Sequence, residues 1–257
     1  MARAPFRHLI TPGGHRMSVA MTNCGRVGWV SDRSGYRYDA IDPESGNPWP
    51  QMPDVFAGLA AQAAAKAGFA RPLEAPLIEA VNAIIARAPF RHLITPGGHR
   101  MSVAMTNCGR VGWVSDRNGY RYDAIDPESG RPWPQMPAVF ADLAARAASK
   151  AGFADFRPDA CLINCYEPGA KLSLHQDKDE LDFNAPIVSV SLGLPATFLF
   201  GGLNRSDKTA RYRLTHGDVV AWGGPARLAY HGVMPLADGE HPLLGNQRIN
   251  LTFRKTR

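Results

Sequence analysis

Residues 2–70 of this chain recur as residues 86–154, at an offset of 84, with 63 of 69 positions identical. A repeat this long constrains the fold more than any other feature. Whatever packs downstream against this segment has two near-identical candidates and a place for one. Two copies are too few, and the period too long, for a solenoid. The differences are Ser34/Asn118, Asn47/Arg131, Asp54/Ala138, Gly58/Asp142, Gln62/Arg146 and Ala65/Ser149. The last four are spaced by 4, 4 and 3 residues, one face of a helix. Val139, Phe140, Leu143 and Ala147 lie on the other side and do not change. This pattern predicts a helix over 138–151, opened by Pro137, ended by Gly152 and carrying its variable face in water. Leu73, Leu77, Val81, Ile84 and Ile85 predict another helix over 71–85, leading into the second copy.

After Gly152 the period changes. Short strand-like runs separated by Pro and Gly appear at Cys161–Tyr166, Leu172–His175, Ile187–Leu192, Thr197–Phe200, Arg211–Leu214, Val219–Trp222, Arg227–Tyr230 and Arg248–Arg254. Eight short strands in about 95 residues predict a mainly β jelly roll of two sheets, with another β-sandwich as the alternative.

An apolar fraction of 45% suffices for a sizeable core. A formal charge of +6 and a pI near 9.3 favour a polyanionic partner without establishing one. The first residues, Met1-Ala-Arg-Ala-Pro-Phe-Arg, lack an apolar signal core, and no stretch is long enough to span a bilayer. Cys24, Cys108, Cys161 and Cys165 form no CxxC pair, which fits reduced thiols in the cytoplasm. No obligate protein partner is evident.

The chemistry is concentrated late in the chain, in His175-Gln176-Asp177, His231 and Arg248-Ile249-Asn250-Leu251-Thr252-Phe253-Arg254. His175 and Asp177 are two apart, so a strand points both to one face. Two imidazoles and a carboxylate can bind one side of Fe(II) and leave the other open. Copper or zinc could take the same ligands in vitro. Arg248, Asn250, Thr252 and Arg254 alternate with Ile249, Leu251 and Phe253, placing two guanidiniums on one wall. A guanidinium fork matches a carboxylate, so metal plus clamp suggests oxygenation with 2-oxoglutarate as co-substrate. Taken singly, each element has an ordinary reading: a chance HxD, a core histidine, a solvated or phosphate-binding arginine pair. The three in this order among short strands point to a site.

Longer runs make the pattern specific. They are Thr95–Gly98, Met101–Gly109, Pro158–Asn164, Pro168–Glu180, Pro186–Pro195 and Asn250–Arg254. Over these the chain resembles the AlkB family of nucleic-acid dealkylating dioxygenases, from about Pro72 to Arg257. The resemblance implies a double-stranded β-helix with helices on one side and a nucleotide-recognition lid. It implies Fe(II) on His175, Asp177 and His231, with O2 as co-substrate and ascorbate as in vitro reductant. 2-Oxoglutarate would be held by Asn164, Tyr166 and Arg248, with Asn250 and Arg254 near its chelating end. For the substrate it implies Trp113 stacking on a flipped base opposite His231, Asp179 on the exocyclic amino group and Met105 in the pocket. Tyr120, Arg205, Thr95, Lys171, Gln176 and Lys178 would serve the strand. The implied reaction demethylates N-alkylated bases of the 1-methyladenine and 3-methylcytosine type in single-stranded DNA or RNA, releasing formaldehyde, succinate and CO2. A methyl group on the Watson–Crick edge is unreachable inside a duplex. His99 and Cys165 depart from the family's bacterial pattern, which has tyrosine and arginine there.

The first copy, 1–70, contains none of these ligands; its His8 and His15 are the partners of His92 and His99. The reading is therefore one complete dioxygenase domain, 71–257, comprising a lid and flanking helix at 86–154 and a jelly-roll core at 155–257. It stands behind a non-catalytic extra copy, which is either a tandem duplication or a join of two related sequences. The copy at 86–154 has the smaller loop-closure cost and is expected to dock. The spare copy is expected to pack loosely or self-associate, with unpaired strands as an aggregation hazard. Two other functions remain open: a same-fold oxygenase acting on a protein or small molecule, and a nucleic-acid-binding module whose site the duplicated lid blocks.

Overall fold

The computed structural model describes residues 68–257 in full and, before them, the backbone of four strands. The chain divides into two compact units, Met1–Ala57 and Gly58–Arg257. In the first, β1 (Arg7–Ile10) pairs antiparallel with β2 (Arg16–Met21), and β3 (Gly28–Asp32) with β4 (Gly35–Asp39). The packing expected of this copy lies outside the described residues.

The second copy has the same local pairing. Here β5 is Ala104–Gly109, β6 Gly112–Asp116 and β7 Gly119–Asp123. Gly112 pairs with Asp123 as Gly28 does with Asp39, and Arg91 bridges Met105 as Arg7 pairs with Met21. The hairpin is thus encoded locally, by alternation and the turn glycine Gly119 at φ 123°. In the second copy β5 pairs along its length with β8 (Ala160–Tyr166).

Both helices form as the periodicity predicts. A 3-10 turn at Arg71–Leu73 leads into α1 (Glu74–Ile85), which buries Leu77, Val81 and Ile84. The second helix, α2 (Ala138–Lys150), starts after Pro137 and stops before Gly152 at φ 92°. Ala138, Asp142, Arg146 and Ser149 are all exposed, while Phe140, Leu143, Ala144, Ala147 and Ala148 are buried. The four helix positions that differ between the copies are all on its exposed face, where Arg146 also lies over the Phe69 ring at 6.0 Å. Gly68–Ala70, the end of the first copy, also packs on this unit. The Gly68 N–H donates to Asp218 Oδ1 at 2.7 Å, the Ala70 N–H to the Gly217 carbonyl at 2.9 Å, and Ala70 is fully buried.

The remaining strands are β9 (Leu172–His175), β10 (Ile187–Gly193), β11 (Ala196–Phe200), β12 (Ala210–Leu214), β13 (Val219–Trp222), β14 (His231–Val233) and β15 (Arg248–Arg254). They form a five-stranded antiparallel sheet ordered β13-β10-β15-β8-β5 and a four-stranded one ordered β12-β11-β14-β9. This is the jelly roll expected from the strand count. One run differs: Arg227–Tyr230 is not a strand but the exit of a 3-10 turn at Gly224–Ala226, and β14 begins at His231. The Arg227 side chain is buried and donates to the carbonyls of Asp177 and Ala185, which a strand register would not permit.

Alternation on the large sheet separates two cores. Cys161, Ile163, Val188, Val190, Ile249, Leu251 and Phe253 face α1 and α2. Each such fully buried aliphatic or aromatic side chain contributes roughly 1.5–3 kcal/mol. The opposite face, with Leu162, Tyr166, Ile187 and Trp222, packs against Phe198 and Val233 of the small sheet. The polar residues of β8, β10 and β15 also lie on this inner face. Among the described residues Cys108, Cys161 and Cys165 are free thiols, and no helix is long and apolar enough to cross a membrane. Burial, with Glu167 nearby, pushes the Cys165 thiol up to about 11.

Candidate active site

Two adjacent strands of the small sheet carry the two histidines of the candidate metal triad, while Asp177 follows just after the end of β9 and not on the strand that the spacing suggested. His175 ends β9 and His231 begins β14, and the two are directly paired in register. Next to His231, Gly232 lies so close to β9 that an added Cβ would sit 2.7 Å from the Leu172 carbonyl oxygen. Only glycine lets the strands approach this way. The donor atoms of His175, Asp177 and His231 all lie within 4.8 Å of one another. His175 Nδ1 bonds the Ser173 carbonyl at 2.8 Å and His231 Nδ1 the Ala229 carbonyl at 3.0 Å. A carbonyl only accepts, so each Nδ1 carries the proton and each Nε2 lone pair is left for a metal. The two Nε2 atoms stand 3.6 and 3.8 Å from the Asp177 oxygens. Trp222 and Phe198 wall the His231 ring at 5.0 and 6.0 Å between centroids.

The charge states suit ligation. Burial, then His175, lowers His231 to about 4, so it is neutral at pH 7. Burial opposes ionisation of Asp177, but Arg254, His231 and His175 outweigh it and hold the carboxyl far below the usual range. The Arg254 guanidinium donates to Asp177 Oδ2 at 2.7 and 3.0 Å. Both shifts destabilise the metal-free chain in acid. An unfolded histidine titrates near 6.5, so as pH falls the unfolded chain takes up the proton first. Stability is present above that pH and is lost toward pH 4. We expect about 2–3 kcal/mol to be lost from His231 alone between pH 7.5 and 4.5. Thermal melts of the metal-free chain at the two pH values measure it, and an unchanged midpoint would contradict it.

The large sheet supplies the opposite wall. Arg248 pairs with Tyr166 and Asn250 with Asn164 across β15 and β8, while Asn250 faces Ser191 of β10. Arg248 is buried; its Nη2 donates to Ser191 Oγ at 3.0 Å, and its Cζ lies 5.0 Å from the Tyr166 ring centre. Its Nε and Nη1, like Asn164 Oδ1, have no protein partner among the described residues. A buried guanidinium with two nitrogens unpaired is costly by itself and suits an anionic partner. Asn250 instead spends its amide on the protein, donating to Ser189 Oγ and the Val190 carbonyl and accepting from Thr252 Oγ1.

All the residues that the sequence nominated as ligands or substrate contacts border one cavity of about 650 Å³, whereas His99 and Cys165 are not in its lining. Thr95, Met105, Trp113, Tyr120, Lys171, Gln176, Lys178, Asp179 and Arg205 join the residues just described. Trp113 stacks on Tyr120 at 5.5 Å between centroids and 13° between planes, and its Nε1–H donates to Asp179 Oδ2 at 2.8 Å. Arg254 lies against Asp177 and Glu180. The sequence reading missed Glu180 and Arg227, both buried, Tyr122 on β7, and Ser189 and Ser191 on β10. Only the two serines had a signal, their alternation with Val188, Val190 and Leu192.

Jelly roll, His-Asp-His triad and buried arginine together define a metal-dependent oxygenase that takes an acidic co-substrate. The model of the 2OG-Fe(II) oxygenase superfamily matches residues 1–79 and again 73–254. The alpha-ketoglutarate-dependent dioxygenase AlkB of Escherichia coli K12 is 59% identical over 211 residues, covering 79% of this chain and 98% of the relative. The AlkB homolog of Caulobacter vibrioides is 49% identical over 182 residues, covering 70% and 81%. The solved structure of OsALKBH1 superposes with a TM-score of 0.57 at 32% identity, covering 65% of this chain and 83% of that one. The chain belongs to the AlkB family of 2OG-Fe(II) oxygenases. It is an Fe(II)- and 2-oxoglutarate-dependent dioxygenase.

Proposed function

We propose that this enzyme oxidatively demethylates N-alkylated bases, of the 1-methyladenine and 3-methylcytosine type, in single-stranded DNA or RNA, as a repair activity of the cytoplasm. The observation that carries the reading is the single cavity with the metal triad at one side and an aromatic, partly cationic rim at the other. The relatives named for nucleic-acid chemistry, among them the tRNA demethylase abh1 of Schizosaccharomyces pombe and the human nucleic acid dioxygenase ALKBH1, support the substrate class.

Bound iron with 2-oxoglutarate and O2 supplies the oxidising power that turns the N-methyl into a hydroxymethyl group, with succinate and CO2 as co-products. The chain's own residues hold and select. His175 and His231 offer neutral Nε2 donors, and Asp177 offers the oxygen not engaged by Arg254. Arg248 receives the distal carboxylate of the co-substrate on the donors it leaves unpaired, beside Tyr166 and Asn164. Asn250 and Arg254 brace this wall from within it. Trp113 parts from Tyr120 and stacks on the base, opposite His231, with Met105 in the pocket floor. Asp179 exchanges the indole N–H for the exocyclic amino group of the base. Thr95, Tyr120, Lys171, Gln176, Lys178 and Arg205 receive the strand, where stacking and charge neutralisation act together. Trp222, Phe198 and Val233 form an apolar wall behind the reacting methyl. The hydroxymethyl product then collapses to formaldehyde and the free base.

The test is formaldehyde release by the full chain from 1-methyladenine and 3-methylcytosine in single-stranded oligonucleotide, with Fe(II), 2-oxoglutarate and ascorbate. We expect release from both, slower from the same lesions in a duplex. No release from any strand, with succinate formed on a peptide or small molecule, would replace the repair reading with a different substrate.

A further inference from the structure

Beside the metal triad lies a buried carboxylate that the reaction does not use. Glu180 is 3% exposed and bonded on both oxygens. Its Oε1 accepts from the Tyr122 hydroxyl at 2.5 Å and lies 3.3 Å from Arg254 Nε. Its Oε2 accepts from Arg227 Nη2 at 3.0 Å. Both arginines continue to Asp177. Arg254 donates to its carboxylate, and Arg227 Nη1 donates to its main-chain carbonyl at 2.7 Å. Asp177 is therefore held at side chain and backbone by two cations that share one anion. The remaining partner of that anion, Tyr122, belongs to the β6–β7 hairpin, and Tyr122 is the direct cross-strand partner of Trp113.

We propose that Glu180 is a positioning residue, and that its bond to Tyr122 couples the seating of the β6–β7 hairpin to the geometry of the metal ligand Asp177. A displaced hairpin withdraws one of the three donors of Glu180. The two arginines then redistribute between Glu180 and Asp177, and the ligand carboxylate loses its fixed orientation. By linkage, a strand that seats the hairpin through Trp113 tightens metal binding by the factor by which metal tightens the strand. The proposal rests on the assignment of His175, Asp177 and His231 as metal ligands. It also assigns the contact to the second copy, since the first copy carries the equivalent Tyr38.

Mn(II) binding to the full chain, read by electron paramagnetic resonance without substrate, tests it. Tyr122→Phe should weaken Mn(II) by roughly 3- to 10-fold, less than the ~10- to 100-fold typical of a direct outer-shell partner. Glu180→Gln should reach that larger range. Tyr38→Phe should change nothing. Tyr122→Phe leaves Glu180 paired with both arginines, so it carries the test if Glu180→Gln does not fold. Wild-type affinity in Tyr122→Phe, with only KM for the oligonucleotide raised, would reduce Tyr122 to a lid contact and overturn the coupling. Loss in Tyr38→Phe instead would overturn the assignment to the second copy. A wild-type chain that binds no Mn(II) would strike the ligand assignment itself, a result distinct from either.

Discussion

Asp177→Ala should abolish formaldehyde release and weaken metal binding by more than the ~100-fold upper range of outer-shell changes, because it removes a direct ligand. It should also destabilise the fold. Asp177 and Arg254 are both buried, and deleting one member of such a pair typically costs about 3–5 kcal/mol. Arg254 keeps Glu180, which places the loss toward the lower end. Asp177→Asn separates the two effects. Its amide oxygen can still accept from Arg254, but its NH2 group then faces the two histidines and cannot ligate. Metal affinity should fall nearly as far as in the alanine variant, with less of the stability lost. Titration with Mn(II) and thermal melts of the metal-free proteins give both numbers. An Asn variant that binds metal normally would remove Asp177 from the ligand set.

How far this site could be read from sequence depended on the kind of signal. The arginine wall was legible because strand alternation has period two, so Arg248 and Asn250 reach the same side of β15 by geometry alone. The HxD spacing found His175 and Asp177 without that geometry, since β9 ends at His175 and Asp177 lies just beyond it. The α2 surface was legible because the repeat is an internal comparison, in which Ala138, Asp142, Arg146 and Ser149 vary only on the exposed face. The network behind the triad had no such signature. Arg227 and Glu180 are 47 apart in sequence, and Tyr122 and Glu180 are 58 apart. Their pairing follows from the closed fold and not from local pattern. Arg227 was even drawn into a false strand, because Arg-Leu-Ala-Tyr alternates well enough to mimic one. The Trp113–Tyr120 stack escaped for a related reason. Sequence could nominate both rings for a ligand but not foresee that they meet each other across the hairpin.

The second large effect concerns Arg248, where stability and function should move in opposite directions. Its guanidinium is buried, with Nη2 on Ser191 and two nitrogens, Nε and Nη1, that no described residue satisfies. Burial pulls its pKa down, partly offset by Tyr166, yet an arginine stays charged at any working pH. In a purely structural role this would be a poor arrangement, since a buried, half-paired cation costs more than an apolar side chain of similar size. Arg248→Met should therefore leave the metal-free thermal midpoint unchanged or raise it. The same substitution should raise KM for 2-oxoglutarate by roughly 100- to 10,000-fold, because two charge-assisted hydrogen bonds of about 1.5–3 kcal/mol each are lost. With saturating co-substrate, kcat should change far less, the mark of binding energy shared by ground and transition states. Arg248→Lys should recover little, because a point charge cannot present a fork. A 2-oxo acid without the distal carboxylate sharpens the test. The wild-type chain should discriminate strongly against it, and Arg248→Met should use the two co-substrates about equally. A Met variant that loses thermal stability while retaining both its KM and its discrimination would make Arg248 a structural residue and move the carboxylate anchor elsewhere in the cavity.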